Sequence, residues 1–236
     1  MPEDVRLGLC GFTIGAAAYF REYRVVEVQQ TFYEPPRDAT LVTWRRRAPL
    51  RFEFTLKAWQ LVTHDATSPT YRRLRRPLDE TERAQAGSFR ATPLVEAAWR
   101  RTLECAALLR ATAILLQCPR SFRPTDENVG RLRAFCRTVD RPDGVRLLWE
   151  PRGAWPPELV ATLCRELDLV HAVDPFVAET QTPELAYFRL HGITGARHVY
   201  TDDELRRLRA MVPADAYVMF NNIPRVGDAR RFAALL

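Results

Sequence analysis

Lys57, in the run RFEFTLKAWQLVTH (51–64), is the one lysine among 35 basic residues; every other is arginine. Arginine keeps its charge in almost any environment, whereas a buried lysine can shed its proton and become a nucleophile or base. An amine retained in a chain that otherwise uses guanidinium therefore marks chemistry. Lys57 can hold a substrate anion, polarise a carbonyl or form a Schiff base; the bland alternative is a buried ion pair with Glu27 or Glu150.

Other reactive side chains fall at the ends of apolar runs. Glu150 ends GVRLLWE beside PRG, where a carboxylate can serve as base, nucleophile or metal ligand and Arg152 can clamp a phosphate or simply pair with it. Asp174 before Pro175 can be a base, a metal ligand or a turn-former. His64 and His191 are two of only four histidines and can move protons near neutral pH. Asn221 and Asn222 can bond a sugar hydroxyl, phosphate or oxyanion, or cap the turn that follows them. The candidate catalytic set is Glu27, Lys57, Glu150, Asp174 and His191. The candidate substrate-binding set is Tyr33, His64, Gln117, Arg152, Arg189, Asn221 and Asn222. Glu27, Glu150, Asp174, His64 and His191 carry donor types suited to a divalent metal, but no HxH, HExxH or DxD spacing supports one.

Parallel strands would bring these residues together. Eight β-rich runs alternate with helical patterns: 5–10, 24–29, 51–57, 111–117, 144–150, 167–174, 185–191 and 215–221. Helices are expected over about 38–47, 92–110, 125–139, 156–167, 202–212 and 228–236. Thr92 followed by Pro93 starts the longest, and Thr201 with Glu204 forms a capping box. Strand-then-helix repeated eight times predicts one (β/α)₈ barrel domain over 1–236, whose chemistry belongs at the carboxyl ends of the strands. PFVAETQTPE after Asp174 is too short and irregular for a full helix, so one βα unit is degenerate. An open doubly wound sheet is the alternative, but no GxGxxG follows the first strand.

The segment 65–93 separates the third strand from its helix. It is read as a basic insertion or lid, in which Tyr71, Arg72, Arg73, Arg75 and Arg76 are candidate contacts to phosphate or nucleic acid; a solvated amphipathic helix would look the same. A net charge of +6 and a pI near 9.4 suit a polyanionic partner without identifying nucleic acid. Five cysteines without a CxxC pair argue against a disulfide framework and a zinc ribbon, and the apolar runs are too short to span a bilayer. The chain is expected in the cytoplasm.

The motifs VVEVQQTFYEPP, FEFTLKAWQLVTH, LLQCPRSFRPTDEN, LLWEPRGAWP, HAVDPF, YFRLHG and MFNNIPRVGDARRF resemble, in order and over nearly the whole chain, the domain-of-unknown-function 72 family. The resemblance implies a TIM barrel and leaves the reaction open. It marks Glu27, Thr31, Phe32, Tyr33, Lys57, His64, Gln117, Glu150, Arg152, Asp174, Arg189, His191, Asn221 and Asn222 as motif positions. Two departures stand out: a short first loop, GFTIGAAAYF, and Gln29 where many relatives carry asparagine. The expectation is an enzyme that hydrolyses a phosphate-containing substrate, nucleic acid included, at the barrel mouth. The alternatives are a metal-independent carbohydrate hydrolase or isomerase with Glu27 and Glu150 as an acid/base pair, and a non-catalytic nucleic-acid-binding module.

Overall fold

A computed structural model describes residues 5–236. Eight parallel strands close into a barrel in sequence order, the last pairing with the first. They are β1 (Arg6–Cys10), β2 (Val25–Val28), β3 (Glu53–Lys57), β4 (Ala113–Gln117), β5 (Arg146–Glu150), β6 (Leu169–Val173), β7 (Tyr187–Leu190) and β8 (Tyr217–Phe220). Each lies inside one of the eight runs read from the sequence.

The helices are α1 (Ala16–Glu22), α2 (Gln30–Tyr33), α3 (Asp38–Arg47), α4 (Gln60–Thr63), α5 (Glu80–Gln85), α6 (Pro93–Leu109), α7 (Asp126–Thr138), α8 (Pro157–Leu167), α9 (Asp202–Met211) and α10 (Arg225–Ala233). Thr92 caps α6 through Val95 N, and Thr201 with Glu204 closes a reciprocal capping box on α9, as the sequence predicts. No helix separates β6 from β7, so the sixth unit is the degenerate one. Two expectations shift. GFTIGAAAYF leads into α1, and the last helix begins at Arg225, directly after Pro224, rather than at Asp228.

Alternation along the strands sorts their residues into two cores. Val25, Leu115, Leu148, Tyr187 and Met219 pack inside the barrel, while Val26, Leu116, Trp149, Phe188 and Phe220 pack outward against the helices. Buried on both faces, such strands read as near-continuous apolar runs, which is why they stand out in the sequence. The same period of two carries polar side chains inward near the top. Glu27 follows Val25, Lys57 follows Thr55, and Arg189 and His191 follow Tyr187.

The insertion is ordered. A short 3-10 helix spans Pro69–Arg73, and α5 opens on a capping box between Asp79 and Glu82. Its end is tied to α4 by Gly87 N donating to Leu61 O at 2.8 Å and Phe89 N donating to Val62 O at 2.9 Å. All five cysteines are free and buried. No helix among the described residues is long and apolar enough to cross a membrane.

Candidate active site at the barrel mouth

A cavity of about 680 Å³ opens at the carboxyl ends of the strands. Nine of the predicted site residues line it: Tyr33, Lys57, His64, Gln117, Glu150, Arg152, Asp174, His191 and Asn221. The sequence reading had not assigned roles to Phe32, Thr70, Arg120 and His171, which line it as well.

Beneath the cavity floor sits Arg189, fully buried. Its Nε donates to Glu27 Oε2 at 3.0 Å and its Nη2 to Glu27 Oε1 at 2.7 Å, while Nη1 pairs with Glu150 Oε2 and reaches Gln117 Oε1 at 3.3 Å. Glu27 also accepts from the Tyr187 hydroxyl at 2.9 Å and from the Gln29 amide. Every carboxylate lone pair of Glu27 is thus engaged. Burial alone would raise both acids, but the guanidinium more than offsets it: Glu27 falls below the ordinary carboxylate range and Glu150 well below it. Neither is placed to donate a proton near neutrality, so the acid/base pairing expected of Glu27 and Glu150 is replaced by an ionised pair clamped on one arginine.

Lys57 is different. It is 4% exposed, and no carboxylate among the described residues lies within ion-pair distance of its Nζ. The bland alternative of an ion pair to Glu27 or Glu150 is not what forms. Instead Nζ stands 3.7 Å from the centroid of the Phe32 ring. Burial above all, with the Arg189 charge next, pulls the amine down to about 7 against the opposing pull of Glu27 and Glu150. Thr31 locks the local backbone, its hydroxyl donating to Lys57 O at 2.7 Å.

Glu150, Arg152, His191 and Asn221 form a second group on the far wall. Arg152 Nε donates to Glu150 Oε1 at 2.9 Å, and its Nη2 lies 3.0 and 2.9 Å from the two His191 ring nitrogens. His191 Nε2 is 3.0 Å from Glu150 Oε1, and Asn221 Nδ2 is 3.0 Å from His191 Nδ1. Asn221 Nδ2 only donates, so His191 Nδ1 is the acceptor there and Nε2 is the nitrogen left to face Glu150. Asp174 accepts from the backbone N–H of His191 at 2.8 Å and of Phe176 at 3.1 Å, which fixes the turn after β6. Burial raises its carboxyl against those two bonds.

His64 is buried beside Lys57, its ring edge-on to Phe32 and its Nδ1 2.8 Å from the Thr63 hydroxyl. Burial, reinforced by the Lys57 charge, holds it down at about 3, so it is neutral. His171 is likewise held down, to about 4, by burial, and its Nδ1 accepts from Gln181 N at 3.1 Å.

Several predicted contacts lie elsewhere. Arg189 is consumed by the carboxylates below the floor, not presented to a substrate. Asn222 faces away from the cavity, donating to His198 O at 2.9 Å and Asp228 Oδ2 at 2.6 Å, and so holds the corner between β8 and α10. Tyr71 is turned inward, its hydroxyl donating to His64 O at 2.7 Å. Arg73 stacks over Tyr33 at 4.2 Å, and Arg76 is paired with Glu82 at 2.5 Å. Arg72 and Arg75 are exposed. Of the whole insertion only Thr70 lines the cavity.

The donor set does not suit a metal. Among the described residues no three His, Cys, Asp or Glu side chains converge as ligands, and a permanently charged guanidinium occupies the place between Glu27 and Glu150 where a cation would sit.

A (β/α)₈ barrel with a polar mouth defines the class, and the sequence comparison gives the kin. The family model described as "Protein of unknown function DUF72" matches residues 16–236, and the chain belongs to that family. The structure is similar to a DUF72 family protein of Enterococcus faecalis V583 (19% identity, 98% of this chain and 93% of that one, TM-score 0.73). It is similar to another from Thermotoga maritima MSB8 (21% identity, 99% of each chain, TM-score 0.71). A D-psicose 3-epimerase shares the fold at 16% identity over 98% of this chain and 97% of that one, with a TM-score of 0.61. Among curated proteins none matches the chain by sequence.

Proposed function

We propose that the protein is an enzyme that moves a proton at a carbon next to a carbonyl, an isomerase or epimerase of a polyhydroxylated small molecule, with Lys57 as the base. One observation carries this reading: a buried amine without an ion pair, held near 7, on the wall of a cavity the size of a metabolite site. A general base works best when its pKa lies near the working pH. The uncharged Nζ takes the proton and becomes an ammonium over the Phe32 ring; the charge left on the substrate oxygen is met by Arg152. Nζ then returns a proton to a carbon of the substrate, and in an isomerisation the hydroxyl proton crosses to the neighbouring oxygen, so nothing is consumed; the ammonium hydrogens exchange with water, which carries solvent deuterium into the substrate. Gln117, Tyr33 and Asn221 supply polar groups for hydroxyls. The shared fold of the D-psicose 3-epimerase supports this reading by analogy.

Hydrolysis of a phosphate-containing substrate, nucleic acid included, is the second reading. Arg120 and Arg152 on the cavity wall favour it. Against it, Glu27 and Glu150 are clamped by Arg189 and poorly suited to activate water. The test is exchange of substrate carbon-bound hydrogen in deuterated buffer, followed by NMR over a panel of ketoses and their phosphate esters. The expected result is exchange with the native chain and none with Lys57→Met. Exchange that persists in Lys57→Met, or cleavage of a phosphodiester with no exchange on any panel member, overturns the proposal.

A further inference from the structure

The opposite pole of the barrel has no part in this reading, yet it holds a second cavity of about 700 Å³. Six arginines line it: Arg6 at the start of β1, Arg45 and Arg46 on α3, Arg51 before β3, Arg110 after α6 and Arg146 at the start of β5. One carboxylate lines it, Glu53, and that group is fully committed. It takes Arg6 Nε at 2.7 Å on one oxygen, and Thr112 at 3.0 Å and the Tyr217 hydroxyl at 2.6 Å on the other.

Two of the arginines are fixed in place. Arg6 is held by Glu53, and Arg45 donates to Phe52 O at 2.9 Å and Pro49 O at 2.6 Å while standing 5.0 Å over the Phe54 ring. Arg46, Arg51, Arg110 and Arg146 have no ion pair or side-chain hydrogen bond among the described residues. Burial first and then the charge of Arg110 lower the pKa of Arg45.

Helix ends explain part of this. Arg46 and Arg110 sit at the carboxyl ends of α3 and α6, where cations are favoured. Arg51 and Arg146 lie on no helix. Arg110 moreover occupies a left-handed position, φ 51°, that glycine or asparagine takes more readily. Arg146 shares the strand face of Leu148 and Glu150, and so belongs to the floor of the barrel axis.

We infer that this basal cavity binds a short chain of consecutive phosphates, such as the triphosphate of a nucleotide or inorganic tripolyphosphate. Arginine forks suit phosphate oxygens, and a concave ring gathered from five separate points suits a compact, multiply charged group better than a flat surface does. No free aromatic face lines the cavity to stack the bases of a nucleic acid, since Phe52 and Tyr217 are buried.

The test is isothermal titration of the full chain at physiological ionic strength with tripolyphosphate, ATP, sulfate and a short single-stranded oligonucleotide. The expected result is one tripolyphosphate per chain, bound at least about a hundredfold tighter than sulfate. Arg110→Gly, which relieves the backbone, and Arg146→Gln should each weaken it by about tenfold. Arg72→Gln and Lys57→Met, remote from the cavity, should leave it unchanged, so failure here is separable from failure at the mouth. ATP binding as tightly as tripolyphosphate assigns the natural source to nucleotides; tripolyphosphate alone assigns it to free polyphosphate. Sulfate competing equally, indifference to both basal variants, or an oligonucleotide binding more tightly through the same arginines would overturn the inference.

Discussion

Lys57 and Arg189 are neighbours with opposite energetic positions. Arg189 cannot lose its charge, so burying it requires two carboxylates; Lys57 can lose its proton, and burial exploits that. The linkage follows. A lysine whose pKa drops from 10.5 to about 7 on folding costs stability fully below pH 7, and the cost fades as pH rises towards the unfolded value. Lys57→Met should therefore raise stability by roughly 3–5 kcal/mol at pH 6 and by almost nothing above pH 10, read from urea midpoints across pH. Activity of the native chain should rise through pH 7 as the amine loses its proton, and Lys57→Arg should be inactive at every pH, because guanidinium does not deprotonate in this range, and less stable as well, because no carboxylate is placed to pair with it. Arg189→Met should cost about 3–5 kcal/mol by leaving Glu27 and Glu150 buried without a counter-charge. Adding Glu27→Gln and Glu150→Gln to it should restore much of that loss in the same urea assay; a triple variant no more stable than the single one would refute the account. The lone lysine was legible in the sequence as a chemical outlier. Which strand-end side chain faces the cavity was not, because depth is set by register. Arg189 and His191 share one face of β7, two residues apart, but the first lies a layer deeper and is spent on Glu27. Gln29 stands above Glu27 in the same way and joins the cavity wall.

Elements rich in their own signals were the readable ones. The eight strands are apolar runs broken by turn residues, and α6 and α9 announce themselves with Thr92–Pro93 and the Thr201–Glu204 box. Short helices packed on loops carry fewer signals, so α1, α2 and α4 are not expected from the sequence. The box from Asp79 to Glu82 lay in plain sight inside a segment dominated by arginines. How the insertion docks is settled by Gly87, at φ 74°, where an added Cβ would fall 1.9 Å from His64 O. Gly87→Ala should thus push the insertion off α4, and the disturbance reaches the cavity through His64 and the Tyr71 hydroxyl bound to its carbonyl. Strain and the lost Gly87–Leu61 hydrogen bond together should cost on the order of 2 kcal/mol. Limited proteolysis should show faster cleavage within 65–93 than in the native chain, with the barrel core left intact. Equal cleavage rates would mean that the insertion docks without this close approach.

At the scale of the molecule, closure is uneven. β4 and β5 pair along their whole length, Ala113 to Gln117 against Arg146 to Glu150, whereas β6 and β7 share only Ala172–Tyr187 and Val173–Phe188. The connection between β6 and β7 supplies no helix of its own to the outer layer at this seam. Instead, loop bonds brace it: His171 N donates to the Thr182 hydroxyl at 3.0 Å, Gln181 N to His171 Nδ1 at 3.1 Å and His191 N to Asp174 at 2.8 Å. Side-chain bonds of this kind hold less than a packed helix, because each is worth about 1 kcal/mol net and opens singly. The barrel should therefore open first between β6 and β7. Native-state hydrogen exchange should show amides of 171–173 and 187–189 exchanging by a local opening, while those of β4 and β5 wait for global unfolding. His171→Phe, which keeps the ring but removes the acceptor for Gln181, should speed exchange at the seam alone by about five- to tenfold. The seam lies beside Asp174 and His191, so an opening there reshapes the wall that carries Arg152, and substrate affinity should fall in that variant while the titration of Lys57 stays where it was. Uniform protection across all eight strands would show that the loop bonds replace the missing helix fully.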